Sequence, residues 1–342
     1  MKRYDVTIGI PIYNSIGCIQ MSLMSALSQS YPSIEYLLIN DGCTDGTFDM
    51  ISSIVKSHLR CNDVRILTHS DNLGVSISRN QIISEAQGDY LYFMDSDDTV
   101  VENTIELMMQ NACLYNAEIV FGSYEKIDIS GRKVLYQYPS IQLLKEDELA
   151  SFAYRKYAGI QASSCNFLVK TSILRNHNHR FIDTNYWEDF VFTFDLVTFI
   201  SRAVLLPDIT YSYICRENSL SHYQQRDIVS KEEVMQNVYT VNHLKNTSAC
   251  LHDKSYFPNR CYNIVMTDFY IACNVIKRRQ EIYPRISNHE IKLMMSHPAT
   301  LGQIVHFKQS RIQNMFLFLI GHLPSLLCVG MIWGLGKLKK LI

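Results

Sequence analysis

The first hundred residues repeat one pattern four times: a short apolar run, a turn, then apolar residues spaced at helical intervals. Residues 5–12, Asp-Val-Thr-Ile-Gly-Ile-Pro-Ile, predict a buried strand that Pro11 is expected to stop. Tyr13-Asn14-Ser15 reads as a turn, with Ser15 as the N-cap of an amphipathic helix over 16–28. Pro32 breaks the chain, and Glu35 to Asn40 forms a second apolar run ending in Asn40-Asp41-Gly42. Asp45-Gly46-Thr47 opens a helix to about His58, and Val64 to Thr68 is a third strand. Asn72-Leu73-Gly74 turns into a helix over 75–87 that Gly88 closes. The fourth strand is Tyr90-Leu91-Tyr92-Phe93-Met94, five apolar residues in a row that suit a central, doubly covered position. Strands alternating with helices across short links predict an α/β fold with a doubly wound, mostly parallel sheet.

The pattern then loosens. Glu102 to Asn116 predicts a helix, Glu118 to Gly122 a strand, and Tyr124 to Tyr138 a β-hairpin turning at Ser130-Gly131. Lys145 to Tyr157 reads as helix and 163–170 as strand. The stretch Arg175-Asn-His-Asn-His-Arg180 is polar; a solvated turn is expected there, with a metal pair at His177 and His179 as the alternative. Trp187-Glu188-Asp189 starts a helix to about Ile200, and Val204 to Cys215 holds one or two strands. Beyond residue 227 the pattern is helical only, over 229–250, 258–280 and 288–296. The expected division is a first domain over 1–226, split near residue 122 into two halves. A helical region follows over 227–310, and membrane-associating apolar helices over 311–342.

The last stretch changes the picture, because Met315 to Leu335 is nearly uncharged. One helix of that length, at ~1.5 Å per residue, would just cross a ~30 Å hydrocarbon layer. Gly321 and Pro324 favour a break near its middle, and His322 would sit at the costliest depth. Basic residues flank both ends: Lys308 and Arg311 before, Lys337, Lys339 and Lys340 after. A helix pair lying on the membrane surface places both clusters at anionic headgroups. A true span and a buried core helix stay open beside it.

Composition excludes some classes. Thirty-two basic residues against 33 acidic ones leave a net charge of −1, so no overall basic field attracts nucleic acid. The 47% apolar content is ordinary for a chain that buries a core. Ten scattered cysteines without a Cys-x-x-Cys pair read as reduced core residues of a cytosolic protein. The N-terminus runs straight into strand-like sequence, leaving no room for a signal peptide, and Asn246-Thr247-Ser248 is a sequon without consequence in that compartment.

The chemistry gathers where the fourth apolar run ends in Asp95-Ser96-Asp97-Asp98. Asp95 and Asp97, at i and i+2 of an extended chain, leave the same face. Hard oxygen ligands at the carboxyl end of such a strand suit Mg²⁺ or Mn²⁺, which would hold phosphates. An acidic turn capping the next helix is the bland alternative.

Four pieces in order resemble family-2 glycosyltransferases of the GT-A fold: Val6 to Asn14, Glu35 to Thr47, Asn72 to Asn80, and Gly88 to Asp98. The likeness covers about 4–220 and thins after 122. The second piece departs slightly, since the family's usual Asp-Asp-Gly-Ser reads Asn40-Asp41-Gly42-Cys43 here. The resemblance implies a nucleoside diphosphate sugar as donor and an inverting displacement onto an acceptor hydroxyl. It places Pro11, Tyr13, Asp41, Arg79, Asp95 and Ser96 around the nucleotide sugar. Tyr13 would stack on the base and Asp41 accept from it, while Arg79 would reach the diphosphate or hold the carboxylates in place. The divalent ion would bind Asp97, with Asp95 toward the ribose or behind it. Asp189 would be the general base, with Glu188 orienting it. Arg216 to His222 resembles a segment that closes over the diphosphate, with His222 as an extra metal ligand.

The expected function is therefore a glycosyltransferase of cell-surface polysaccharide synthesis, with a glycan or lipid-linked acceptor. It would be cytoplasmic and peripheral on the inner face of the membrane. A catalytically inactive membrane scaffold of the same fold is one alternative. A nucleotidyltransferase is another, though the turn after the first strand lacks the basic, glycine-rich loop that a triphosphate requires.

Overall fold

Every strand of the amino-terminal half is built on β1 (Tyr4–Ile12), whose Val6, Thr7, Ile8 and Ile10 are fully enclosed on both faces. The computed structural model describes residues 3–155, 159–184, 186–216 and 228–342. After β1 come α1 (Ile19–Leu27), β2 (Ile34–Asp41), α2 (Thr47–Ser57), β3 (Val64–His69), α3 (Val75–Glu85) and β4 (Gly88–Phe93). These strands pair in parallel in the order β3-β2-β1-β4, which is the doubly wound half that the sequence predicts.

The remaining elements of this half are β5 (Thr99–Val100), α4 (Thr104–Tyr115), β6 (Ile119–Ile127), β7 (Lys133–Tyr136), β8 (Ile141–Leu143), α5 (Glu148–Arg155), β9 (Phe167–Lys170), α6 (Thr171–Asn176), α7 (Glu188–Leu196) and β10 (Ala203–Ile214). They extend the sheet as β4-β9-β6-β10-β5. β9 runs antiparallel to both its neighbours, while β10 returns parallel to β6. β6 and β7 form the expected hairpin.

Some expectations need correction. Pro11 does not stop β1. The Gly9 carbonyl accepts from Met94 N toward β4, and Pro11, two residues on, faces the same side past the end of β4. Its missing N–H therefore costs no ladder bond. Ser15 is not a helix cap: α1 begins only at Ile19, and the Ser15 carbonyl accepts from Cys18 N and Ile19 N in a preceding turn. Nor is 175–180 a solvated turn throughout. His179 is buried, with Nε2 2.9 Å from the Phe192 carbonyl oxygen and its ring against Phe192, while exposed His177 stacks on Phe199. The two histidines serve packing. All ten cysteines are free thiols; five are buried, but Cys113 and Cys250 are exposed.

The chain divides into two compact units, Met1–Leu149 with Ala162–Ser219, and Ala150–Gln161 with Leu220–Ile342. The second contains β11 (Val229–Ser230), α8 (Lys231–Thr247), α9 (Phe257–Lys277), β12 (Ile282–Tyr283), α10 (Asn288–Met294), α11 (Leu301–Val305), α12 (Arg311–His322) and α13 (Ser325–Leu338). It is not wholly helical, because β11 and β12 pair in parallel. Its core holds charge. Arg260 is fully buried and donates to Tyr154 Oη, Ser248 Oγ, Thr247 Oγ1 and the Leu244 carbonyl. That arrangement neutralises the carbonyl end of α8. Asn263 donates to the Tyr154 carbonyl, so the 150–161 segment is held from two sides within this unit. Lys245 Nζ lies 2.6 Å from buried Asp268 and donates to the Met294 carbonyl.

The apolar stretch 315–335 breaks at Leu323–Pro324 between α12 and α13, and among the described residues no helix is long and apolar enough to cross a membrane.

Gly88 is a point where the parallel half packs main chain against main chain. A Cβ there would overlap the main chain of Val6 and Thr7, which cannot step aside as a flexible side chain would. Gly88→Ala should therefore destabilise the fold by roughly 3 kcal/mol, the upper part of the range for overpacking. A fall in the urea midpoint tests it; an unchanged midpoint means that β1 and β4 are not locked together there.

Candidate active site

Carboxylates from two distant segments, Asp95 and Glu188-Asp189, meet at one buried guanidinium. Arg79 lies on α3, a helix whose inward face carries Ser76, Ser78 and Arg79 before it becomes apolar at Ile82 and Ile83. The guanidinium is 3% exposed and rests over the Phe181 ring at 5.3 Å. Nη2 donates to Asp95 Oδ1 at 2.9 Å. Nη1 donates to Asp189 Oδ1 at 2.6 Å and to Glu188 Oε1 at 3.0 Å. Of the two expectations for Arg79, the structure supports the holding of the carboxylates. Its carboxylate neighbours keep it protonated against the cost of burial, and its pKa lies well above the usual value.

Asp95, Asp97 and Asp98 each bring a carboxylate oxygen within 4.8 Å of the others. The reason is not the strand alternation expected from the sequence. β4 ends at Phe93, and the residues at 96 and 97 form a turn that folds the three side chains together. Asp98, not singled out from the sequence, is the best held. It is 1% exposed, accepts from Tyr211 Oη at 2.8 Å and from Ile214 N at 2.8 Å, and so ties the acidic turn to β10. Tyr211 Oη in turn accepts from Asp95 N. Arg216 donates to the Asp97 carbonyl at 2.5 Å and lies 3.9 Å from its carboxylate. His222 and the rest of that segment from 217 lie outside the described residues.

Burial sets an ordered series of acidities. It pushes Asp97 up to about 6, with Asp95 adding repulsion and Arg216 opposing. It pushes Asp98 up to about 8, with Asp95 and Asp97 adding repulsion. Burial also raises Asp189 to about 7 in spite of Arg79. Asp189 receives a second hydrogen bond from buried Ser164 Oγ at 2.7 Å, also on Oδ1. No sequence pattern marked Ser164, Phe181 or Tyr211, because their value lies in contacts between distant segments.

The nucleotide-side residues fall as follows. Tyr13, just past β1, is 46% exposed and offers its ring. Two residues on, Ser15 Oγ pairs with Ser96 Oγ at 2.8 Å, which links the end of β1 to the acidic turn. Pro11 is buried in β1. Asp41 is 2% exposed: Leu73 N and His69 Nδ1 meet Oδ1, and Gly74 N meets Oδ2. Its carboxylate holds the entry to α3, so the open base contact expected of it is not presented in this arrangement. Trp187 adopts a left-handed conformation (φ 64°) at the start of α7, edge-on to Phe190.

Comparisons with known proteins bear on the family and the fold. The profile described as "Glycosyl transferase family 2" matches residues 7–177. An uncharacterized glycosyltransferase of Haemophilus influenzae is 31% identical over 38% of this chain and 50% of its own length. The succinoglycan biosynthesis protein ExoO of Rhizobium meliloti is 26% identical over 66% of this chain and 65% of its own. The chain thus spans half to two-thirds of the length of these relatives. The crystal structure of S. aureus TarS 1-349 in complex with UDP-GlcNAc superposes with a TM-score of 0.57 at 16% identity, covering 93% of this chain and 90% of that one. The shared fold is the GT-A type.

Removing the clamp gives a signed prediction. In Arg79→Met, Asp189, which burial already raises to about 7, loses the cation that opposes the rise, so its folded-state pKa moves further above that of the unfolded chain. The folded form then binds the extra proton, so stability is lost as pH rises and returns as pH falls. We expect a loss of about 3 kcal/mol near pH 8, at the low end for a broken buried pair because the carboxylates are partly exposed. That loss should shrink as the pH is taken toward about 5, below the raised pKa. Urea unfolding at the two pH values checks this; a penalty independent of pH would remove the clamp from the account.

Proposed function

The chain belongs to glycosyl transferase family 2, and from that membership we propose that it moves a sugar from a nucleoside diphosphate donor to an acceptor hydroxyl with inversion at the transferred carbon. The observation that carries the reading is the bridge Asp95–Arg79–Asp189, which sets an oxygen cluster suited to a cation beside a carboxyl suited to a base. Among the described residues, Arg79 and Ser164 both donate to Oδ1 of Asp189, and Oδ2 is the oxygen that would take the acceptor proton. A carboxyl with a pKa of about 7 exchanges that proton readily at neutral pH. Glu188 shares Arg79 with Asp189 and keeps its orientation.

The donor set at Asp95 and Asp97, with Asp98 behind, is all carboxylate oxygen, the chemistry that Mg²⁺ and Mn²⁺ prefer. Such an ion, when bound, offsets negative charge on the departing diphosphate. Tyr13 offers a face for the nucleotide base, with Ser96 linked to the chain just past β1 through Ser15 and Pro11 buried in the strand behind. The fold shared with TarS, crystallised with UDP-GlcNAc, supports a UDP-sugar. The likeness to a succinoglycan biosynthesis protein supports a glycan or lipid-linked acceptor in cell-surface polysaccharide synthesis. We place the reaction at the inner face of the cell membrane.

Asp189→Asn should lower kcat by about 10²- to 10⁴-fold, the worth of a positioned base, while Mn²⁺-dependent UDP binding persists in calorimetry. Full activity in that variant would strip Asp189 of its role. In Asp97→Ala the metal-dependent part of UDP binding should vanish; its survival would move the cation elsewhere. Because Asp189 must be ionised to accept a proton, kcat/KM should climb with pH and level off above about 7. A profile that falls across that range would exclude a carboxylate base.

A further inference from the structure

The outward faces of the last two helices form a surface that the glycosyl transfer does not use. The inward faces are close-packed: Gly336 of α13 sits against Cys273 of α9, and Gly321 of α12 against the Met295 carbonyl. Asn314, Leu317 and Ile320 of α12, and Cys328 and Ile332 of α13, are buried. The opposite faces are apolar as well. Ile312, Phe316 and Leu319 follow one another at helical spacing on α12 and are 80%, 43% and 54% exposed. Leu326, Leu327 and Trp333 on α13 are 76%, 59% and 46% exposed. Single exposed apolar side chains are ordinary; a contiguous set on two joined helices marks an interaction surface.

Charge selects the partner. Glu290 is the last acidic residue of the chain, and the stretch 291–342 carries Lys292, Lys308, Arg311, Lys337, Lys339 and Lys340 without a counter-charge. Except for Lys292 these are exposed, and they fall before α12 and at the end of α13. Lys337 Nζ lies 4.0 Å from the centre of the exposed Trp333 ring, a cation over an amphipathic aromatic. A second copy of this chain would set like charges against each other across the joint. An anionic bilayer meets both properties at once, taking the apolar side chains at its acyl boundary and the basic ones at its headgroups. The break at Leu323–Pro324 and the shortness of both helices suit helices that lie in the surface plane.

We propose that α12 and α13 form a docking face for anionic lipid, lying flat in one leaflet. The proposal deepens the membrane setting given above and is independent of the sugar chemistry. Its test is co-sedimentation of the full chain with vesicles of phosphatidylcholine alone or mixed with phosphatidylglycerol. The wild type should sediment with the mixed vesicles only and be released by high salt. Replacing Lys337, Lys339 and Lys340 with Gln should weaken binding about 100-fold, at roughly fivefold per basic side chain. The exposed pair L326E/L327E should abolish it. UDP-GlcNAc hydrolysis with Mn²⁺ is read on the same samples, as a measure of the transferase reading alone. Wild type that stays in the supernatant overturns the docking face, as does sedimentation that ignores both variants, or a dimer in solution that L326E/L327E dissolves without any vesicle binding. Vesicle binding without hydrolysis removes UDP-GlcNAc as the donor and leaves the docking face standing.

Discussion

One buried cation organises the amino-terminal unit. Arg79 is almost wholly withdrawn from water, and it is tolerable there only because three carboxylates share it. Asp95 comes from the end of β4 and Glu188 and Asp189 from the start of α7, about ninety residues later in the chain. Without the guanidinium these groups would repel; with it, their separation is fixed to a hydrogen-bond length on each side. A planar fork with several donors does this where a lysine ammonium would not. Phe181 floors the guanidinium and is itself stacked on Phe192 at 3.9 Å, so the aromatic core sets the height of the clamp.

The same enclosure spreads the acids apart in strength. Asp97, Asp189 and Asp98 rise to about 6, 7 and 8, each first for want of water and each further through a neighbouring like charge. Asp98, the weakest acid, is also the one most completely tied by neutral donors, Tyr211 Oη and Ile214 N. Asp97 is the more exposed of the two, with 42% of its side chain open to water. Division of labour among adjacent carboxyls thus follows from depth, not from residue type.

Much of this was legible in the sequence because it is local. The parallel half is visible in short apolar runs alternating with apolar residues at helical spacing, and Asp95, Asp97, Glu188 and Asp189 stand in short motifs. What was not legible depends on contacts between distant segments. Ser164 looks like any loop serine until it is seen 2.7 Å from Asp189, and Asp41 looks available until His69 and the amides of Leu73 and Gly74 close round it. Pro11 was misread for the same reason: whether a missing N–H matters depends on how far the neighbouring strand extends. Polar His179 was misread because its partners, Phe192 and Phe199, lie beyond the range of any local pattern.

The hold of Arg260 and Asn263 on Tyr154 has a consequence for the gene. Residues 150–161 are encoded between β8 and β9, inside the stretch that supplies the sheet, yet their partners belong to the carboxyl-terminal unit. The two units are therefore interleaved along the message. A ribosome must finish α9 before that early segment finds its anchor, and no single cut in the reading frame liberates either unit whole. Exchange of the carboxyl-terminal unit between relatives would require three junctions, at 149/150, 161/162 and 219/220.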